Sequence, residues 1–154
     1  MKTTKISEVL DQKGRRISSI GKNESVASAA KKMVDDKIGS LIVTHGGGIA
    51  GIITERDCLR LLAQPDRSAK ETKVHELMTS DIVVAQAHYT LEQCLSIMTE
   101  KRCRHLPVLQ GEEIVGIISI GDLVRAAVEV QRAEIHFLNE YIRGDYPGVA
   151  AVAN

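Results

Sequence analysis

Apolar positions along this chain alternate between two spacings, which predict short strands separated by amphipathic helices. We expect Ser25 to cap a helix that ends near residues 38–39. The apolar runs LIVT at 41–44 and IAGII at 49–53 flank a glycine-rich turn and predict a β-hairpin. The inward face of the helix is predicted from residues three or four positions apart: Val26, Ala29, Ala30 and Met33.

The same pattern returns 65 residues downstream. Thr90 precedes a second helical period, and LPVL at 106–109 and IVGII at 114–118 predict a second hairpin. Aligned without a gap, residues 39–57 and 104–122 are identical at eight of 19 positions, and GIITERD at 51–57 corresponds to GIISIGD at 116–122. The chain is therefore an internal duplication of a β-α-β-β-α unit. The inward positions of the second helix are Leu91, Cys94, Leu95 and Met98.

Each unit follows a short apolar pattern of helical spacing, ISEVL at 6–10 and VHELM at 74–78. The polar stretch at 64–73 is the connection between the units. We expect the first repeat in residues 1–68, the second in residues 69–130 and an extension in residues 131–154. The fold class predicted from these elements is α+β.

One long amphipathic helix is predicted from residue 122 to 143, ended by Gly144. The part after Val130 has no counterpart in the first repeat, so its apolar face needs another surface. A homodimer contact and packing back onto the same chain are both open. Pro147 and Gly148 predict a mobile tail at 145–154. The apolar face of the helix includes Leu123, Ala127, Val130, Phe137 and Tyr141.

Composition narrows the classes of partner. Lys plus Arg and Asp plus Glu each number 20, so no bulk charge favours a nucleic acid or a membrane surface as partner. The start of the chain has no apolar stretch of signal-peptide length, and we expect a cytoplasmic protein. The histidines are scattered, and the three cysteines have no metal-ligand spacing, so no metal site is predicted.

A hydroxyl and a carboxylate recur three residues apart in both copies, as Thr54 with Asp57 and as Ser119 with Asp122. Such a pair can complement the N-terminus of a helix, which is a structural explanation. It can also face a ligand, because neither group is a good core group without a partner. The residues alone leave both interpretations open.

Two β-α-β-β-α units that carry GIITERD and GIISIGD resemble the CBS domain in its tandem form, the Bateman module. The resemblance covers roughly residues 6–130. It implies two repeats packed as a pseudo-twofold pair, with two clefts between them that bind adenosine nucleotides in many members and regulate another protein. It does not imply catalysis, and no catalytic residue is predicted.

The resemblance also assigns roles within the clefts. It implies that Asp57 and Asp122 accept hydrogen bonds from ribose hydroxyls, and that Thr54 and Ser119 reach ribose or phosphate. Its base-binding positions fall on Ser18, Ile38, Gly39, Ser40, Val83, Cys103, Arg104 and His105. The small Gly39 and Ser40 are expected to admit a ring closely in one cleft, and Arg104 and His105 to make the other more cationic.

Three residues are candidates to bind phosphate: Arg56, Arg104 and His105. Because Gly121 takes the place of Arg56 in the second copy, we expect the two clefts to hold phosphates differently. Pro107 cannot donate to a strand ladder, so we expect it at a strand start or edge, with a structural role first and ligand contact second.

The function expected from the sequence is a non-catalytic, homodimeric regulatory module that binds AMP, ADP, ATP or NAD(H). No catalytic cofactor is predicted, and the regulated protein is unknown. The alternative is an interaction scaffold with unoccupied clefts that binds partners through its long C-terminal helix.

Overall fold

The computed structural model describes residues 3–143. The first repeat contains β1 (Ser19–Gly21), α2 (Val26–Asp36), β2 (Ser40–His45), β3 (Gly48–Thr54) and α3 (Glu55–Leu62), preceded by α1 (Ile6–Lys13). Strand β2 lies between β1, to which it is parallel, and β3, to which it is antiparallel. The predicted order of elements is confirmed in this repeat.

The second repeat has the same order: β4 (Ala85–Gln86), α4 (Leu91–Lys101), β5 (His105–Gln110), β6 (Glu113–Ser119) and α5 (Ile120–Arg143). A short 3-10 helix, Val74–Glu76, precedes it where the sequence predicts a helix. The second three-stranded sheet repeats the topology of the first, and both hairpins have a register shift at the same place, between Val43 and Thr44 and between Val108 and Leu109. The fold is therefore the predicted α+β duplication.

Side chains cap the two equivalent helices as predicted. The hydroxyl of Ser25 accepts a hydrogen bond from the Ser28 amide, and that of Thr90 accepts one from the Gln93 amide, each at 3.1 Å. At the other end, a residue with a left-handed backbone stops each helix, and in neither helix is it a glycine. It is Lys37, with φ 55°, in α2 and Arg102, with φ 53°, in α4.

The segment that leads into each repeat packs against the other repeat. The first turn of α4 is capped by the Thr4 carbonyl, which accepts from the Leu91 amide at 3.0 Å. In the same way, the Thr72 carbonyl accepts from the Val26 amide of α2 at 2.9 Å. Helix α1 thus lies with the second repeat, and the segment around the 3-10 helix lies with the first.

The two hydrophobic cores show the same exchange, in which the segment that leads into one repeat packs in the core of the other. Ile6, Val9 and Leu10 of α1 are buried among core residues of the second repeat. Val74 is buried in the core of the first repeat, and Leu77 and Met78 pack against it. Each core is therefore completed by a segment from outside its own β-α-β-β-α unit, which ties the two repeats together.

The glycines of the two GII sequences lie where the incoming segments come close to the strands. A Cβ on Gly51 would lie 2.6 Å from the Thr79 carbonyl oxygen, and a Cβ on Gly116 would lie 2.7 Å from Cδ2 of Leu10. Both distances are far inside van der Waals contact. At Gly51 the neighbour is backbone, so only glycine allows this approach, whereas at Gly116 the end of the Leu10 side chain would have to shift.

Helix α5 begins inside the second core and then leaves it. Leu123 and Ala126 are buried, whereas every residue from 131 to 143 is exposed. Ile135, Leu138 and Ile142, which follow Val130 on this helix, are at least 55% exposed, so these apolar side chains are not buried against the described part of the chain. The predicted mobile tail at 145–154 lies outside the described residues, and no described helix is long and apolar enough to cross a membrane.

Candidate functional site

A cleft of about 280 Å³ lies where the end of β3 and the start of α3 face the second repeat. We call it the Asp57 cleft. The second repeat contributes the segment before β4 and the turn between α4 and β5. Its polar and predicted lining residues include Thr54, Arg56, Asp57, Arg60, Asp81, Val83, Lys101, Arg102, Cys103, Arg104 and His105.

A second cleft, of about 400 Å³, occupies the corresponding place at the end of β6 and the start of α5. We call it the Asp122 cleft. The first repeat contributes the segment before β1 and the turn between α2 and β2, and the last turn of α1 closes one side. Its lining residues include Lys13, Arg16, Ser18, Asp36, Lys37, Ile38, Gly39, Ser40, His105, Ser119, Asp122 and Arg125.

Each cleft combines residues from both repeats. The predicted base-binding positions of one repeat face the hydroxyl and carboxylate of the other, so Gly39 lies with Asp122, and Arg104 lies with Asp57. His105 borders both clefts. The sequence prediction did not combine the positions in this way.

Each hydroxyl–carboxylate pair closes the N-terminus of a helix. Oδ2 of Asp57 accepts from the amide and hydroxyl of Thr54 at 2.8 and 3.0 Å. Oδ2 of Asp122 accepts from the amide and hydroxyl of Ser119 at 2.7 and 2.8 Å. The structural explanation of the motif is therefore correct, and the same side chains also line the clefts.

The charged partners of the two carboxylates differ. Asp57 pairs with Arg60, three residues later on the same helix, at 3.4 Å from Oδ1. Asp122 pairs with Lys13 of α1, whose ammonium is 2.5 Å from Oδ2. Burial alone would raise the pKa of Asp122, but the hydrogen bonds from Lys13 and Ser119 outweigh it and hold this pKa below its ordinary value.

The Asp122 cleft contains a second ion pair that the Asp57 cleft does not repeat. Asp36 accepts from Arg16 at 3.0 Å and from the Ser18 hydroxyl at 3.3 Å. In the 65-residue alignment, Arg16 corresponds to Asp81 and Asp36 corresponds to Lys101, so the charges at these two positions are reversed. The clefts therefore present different charge patterns to a ligand.

His105 is the side chain that joins the two clefts. It lies against Gly39, where a Cβ would be 3.1 Å from Nε2, and beside an ion pair of 3.2 Å between Glu55 and Arg104. Burial lowers the pKa of His105, and Arg104 and Lys13 lower it further, while Glu55 and Asp122 oppose the shift. The net lowering of this pKa favours the neutral imidazole, and binding of phosphate by His105 stays a prediction.

Pro107 lines neither cleft. It lies inside β5, which is the central strand of its sheet, rather than at the start of a strand. Its counterpart Ile42 donates to the Ser18 carbonyl at 3.0 Å, a bond that Pro107 has no N–H to make. The pairing of β4 with β5 begins at Val108, so Pro107 lies just outside the paired stretch on that side of β5.

The three cysteines are free. Burial raises the pKa of Cys94 to about 11 and is the main cause of the raised pKa values of Cys58 and Cys103. All three thiols are thus protonated near neutral pH, which makes them poor nucleophiles. Among residues 3–143, no group of three His, Cys, Asp or Glu side chains is placed to hold a metal ion.

Sequence reasoning missed several residues of the clefts, above all Lys13, Asp36, Arg60 and Lys101. The reversed charges at positions 36 and 101 are visible once the two copies are aligned. Lys13 has no such signal, because its contact with Asp122 joins residues 109 positions apart.

The chain belongs to the CBS domain family, whose model matches residues 4–64 and again residues 74–129. It therefore contains a CBS pair, a regulatory module that generally has no catalytic activity of its own. The CBS domain-containing protein CBSX3, mitochondrial, of Arabidopsis thaliana is 37% identical over 94% of this chain and 74% of its own length. The name of that relative specifies mitochondria, so the cytoplasmic location of this chain stays a prediction.

Two solved structures show the same fold. A putative signal-transduction protein with CBS domains from Burkholderia ambifaria MC40-6 is 41% identical, with a TM-score of 0.79 over 82% of this chain and 95% of that one. The CBS domain pair of protein MJ0100, solved in complex with 5′-methylthioadenosine and S-adenosyl-L-methionine, is 23% identical, with a TM-score of 0.73 over 83% of this chain and 98% of that one.

Proposed function

We propose that this chain is a regulatory module that binds an adenine nucleotide in the Asp57 and Asp122 clefts. The observation that carries the proposal is that only one oxygen of each carboxylate makes the helix-capping bonds. The helix-capping bonds of Asp57 and Asp122 all end on Oδ2, so Oδ1 takes no part in the cap. In Asp57, Oδ1 accepts from Arg60 at 3.4 Å, and its second lone pair can accept from a ligand. A ribose presents two adjacent hydroxyl donors, for which a carboxylate oxygen is a suitable acceptor.

The surroundings of the carboxylates fit the rest of a nucleotide. Small or apolar groups, among them Ile38, Gly39, Val83 and Cys103, border the sides of the clefts where a base can lie. Each cleft also has more basic than acidic side chains among its lining residues, which favours an anionic ligand. The adenosine ligands bound by the MJ0100 pair support the choice of base.

The ligand class is AMP, ADP, ATP or NAD(H), and binding regulates a partner protein. Occupancy changes the partner only if the nucleotide prefers one arrangement of the two repeats. The Glu55–Arg104 ion pair is suited to report such a change, because it joins α3 of the first repeat to the segment before β5 of the second.

Titration calorimetry with AMP, ATP and NAD tests this function. We expect the wild-type chain to bind at least one of them and the double variant Asp57→Asn, Asp122→Asn to bind it at least tenfold more weakly. Asparagine keeps the size of the side chain and an oxygen for the helix cap, so the folded state is retained. Absence of binding by wild type, or unchanged binding by the double variant, would remove the proposal.

A second function is favoured by the exposed apolar face of α5. Ile135, Leu138 and Ile142 are 60%, 55% and 78% exposed. We propose that this face forms a homodimer contact, or binds a partner as the scaffold interpretation holds. Light scattering of a chain truncated after Val130 separates this from the nucleotide function: a truncated chain that still dimerises and still binds nucleotide shows that α5 is not the interface.

A further inference from the structure

The Asp122 cleft lacks the cation that the Asp57 cleft has in its motif. Arg56 stands between Thr54 and Asp57 and lines the Asp57 cleft. The corresponding residue between Ser119 and Asp122 is Gly121, which has no side chain to bind an anion. If both clefts hold a nucleotide, the phosphate in the Asp122 cleft needs a cation from another element.

Lys13 is placed to be that cation. Its ammonium donates to Oδ2 of Asp122 at 2.5 Å and to the Ile117 carbonyl at 2.8 Å, and its side chain is only 33% exposed. An ammonium has three donors, so the third remains for a ligand. The lysine stands beside the carboxylate proposed for the ribose, and the 5′-phosphate of a nucleotide is attached to that same sugar.

The other cations that line this cleft are Arg16, Lys37 and Arg125, and among the described residues none of these three pairs with Asp122. Arg16 is engaged by Asp36 at 3.0 Å. Arg125 follows Asp122 by three residues, as Arg60 follows Asp57, yet the partner of Asp122 is Lys13 rather than this arginine. The carboxylate of Asp122 is therefore paired with a cation from a separate helix, α1, whereas that of Asp57 is paired within its own helix.

We infer that Lys13 is the phosphate-binding residue of the Asp122 cleft, where it takes the part that Arg56 has in the Asp57 cleft. This inference rests on the proposed nucleotide function. Its consequence is that α1, which completes the core of the second repeat, is a ligand-responsive element. A phosphorylated ligand that bonds to Lys13 stabilises the packed position of α1, whereas an unphosphorylated one does not.

The test compares AMP with adenosine, which differ only in the phosphate. Titrations are made on the full chain with Asp57→Asn, which weakens the other cleft. We expect this parent to prefer AMP, and Lys13→Met to lower AMP affinity about tenfold, in line with the loss of a charged hydrogen bond, while adenosine affinity changes less than twofold. Lys13→Arg should keep the preference for AMP.

Lys70→Met is the matched control, because it removes the same charge from an exposed lysine that lines neither cleft. This control should behave as the parent does. A second readout is hydrogen exchange of the α1 amides, which AMP should slow in the parent and in Lys13→Arg but not in Lys13→Met.

The outcomes separate the two proposals. If Lys13→Met keeps the preference for AMP, or binds AMP more tightly, the inference is wrong while the nucleotide function stands. If the Asp57→Asn parent binds neither compound although wild type does, the Asp122 cleft is not a nucleotide site and the inference fails. If wild type itself binds neither compound nor any other adenine nucleotide, the proposed function fails and the inference fails with it.

Discussion

Leu10 tests the exchange of segments between the repeats. Leu10 is part of α1, which precedes the first repeat in the sequence. Its side chain is nevertheless fully buried in the core of the second repeat, where it contacts β6 at Gly116. Leu10→Ala removes three carbons from this core and leaves a cavity next to Gly116, which has no side chain to fill the space.

Fully buried Leu→Ala substitutions cost about 2–5 kcal/mol, and a loss of about 3 kcal/mol would lower the Tm of a chain of this size by roughly 6–12 °C. The same substitution at Leu62, which is 75% exposed, serves as the control and should change the free energy of unfolding by less than about 0.5 kcal/mol.

Urea unfolding followed by circular dichroism measures both variants. If α1 were packed loosely, Leu10→Ala would resemble Leu62→Ala. If α1 packed against the first repeat instead, the lost amide protection would lie in that repeat, and either result would refute the exchange of segments. A selective loss of protection in the amides of β6, measured by hydrogen exchange, would place the damage in the second repeat.

Two further predictions follow from close contacts and from titration. Gly51→Ala places a methyl group 2.6 Å from the Thr79 carbonyl oxygen and should lower the free energy of unfolding in urea by about 1–3 kcal/mol. Gly48→Ala is the control, because its Cβ meets nothing nearer than 3.7 Å and stability should change little. Equal effects of the two substitutions would contradict the close approach of Thr79 to β3. Because the pKa of His105 is lower in the folded state, the unfolded chain binds more protons, and the stabilisation present above the ordinary value of 6.5 is lost as pH falls below it. Wild type should therefore lose more stability than His105→Gln between about pH 7.5 and 5.5, and parallel losses in the two proteins would count against this burial of the histidine.

Local signals predicted much of the fold. Ser25 and Thr90 cap their helices because a hydroxyl before an amphipathic period satisfies nearby amides, and this requires no long-range information. The hairpins and the duplication follow from periodicity in the same way. The left-handed stops at Lys37 and Arg102 were not predicted, because neither residue is a glycine or an asparagine, the types that usually take this backbone.

The site was predicted less completely, for a physical reason. Alignment of the copies identified Thr54, Asp57, Ser119 and Asp122, since both helix capping and cleft position repeat with the motif. Aligning the two copies shows which positions are equivalent. It does not show which positions of one repeat face the other repeat, because that depends on how the repeats pack together. The contact of Lys13 with Asp122 is an example, because it exists only through the packing of α1 against the second repeat.

A crystal structure of the protein grown with AMP tests the central claim most directly. The account predicts that the ribose hydroxyls lie within hydrogen-bond distance of Oδ1 of Asp57 or Asp122, with the base against the α–β turn of the opposite repeat. Clefts free of nucleotide at saturating AMP, or AMP bound elsewhere on the molecule, would contradict it.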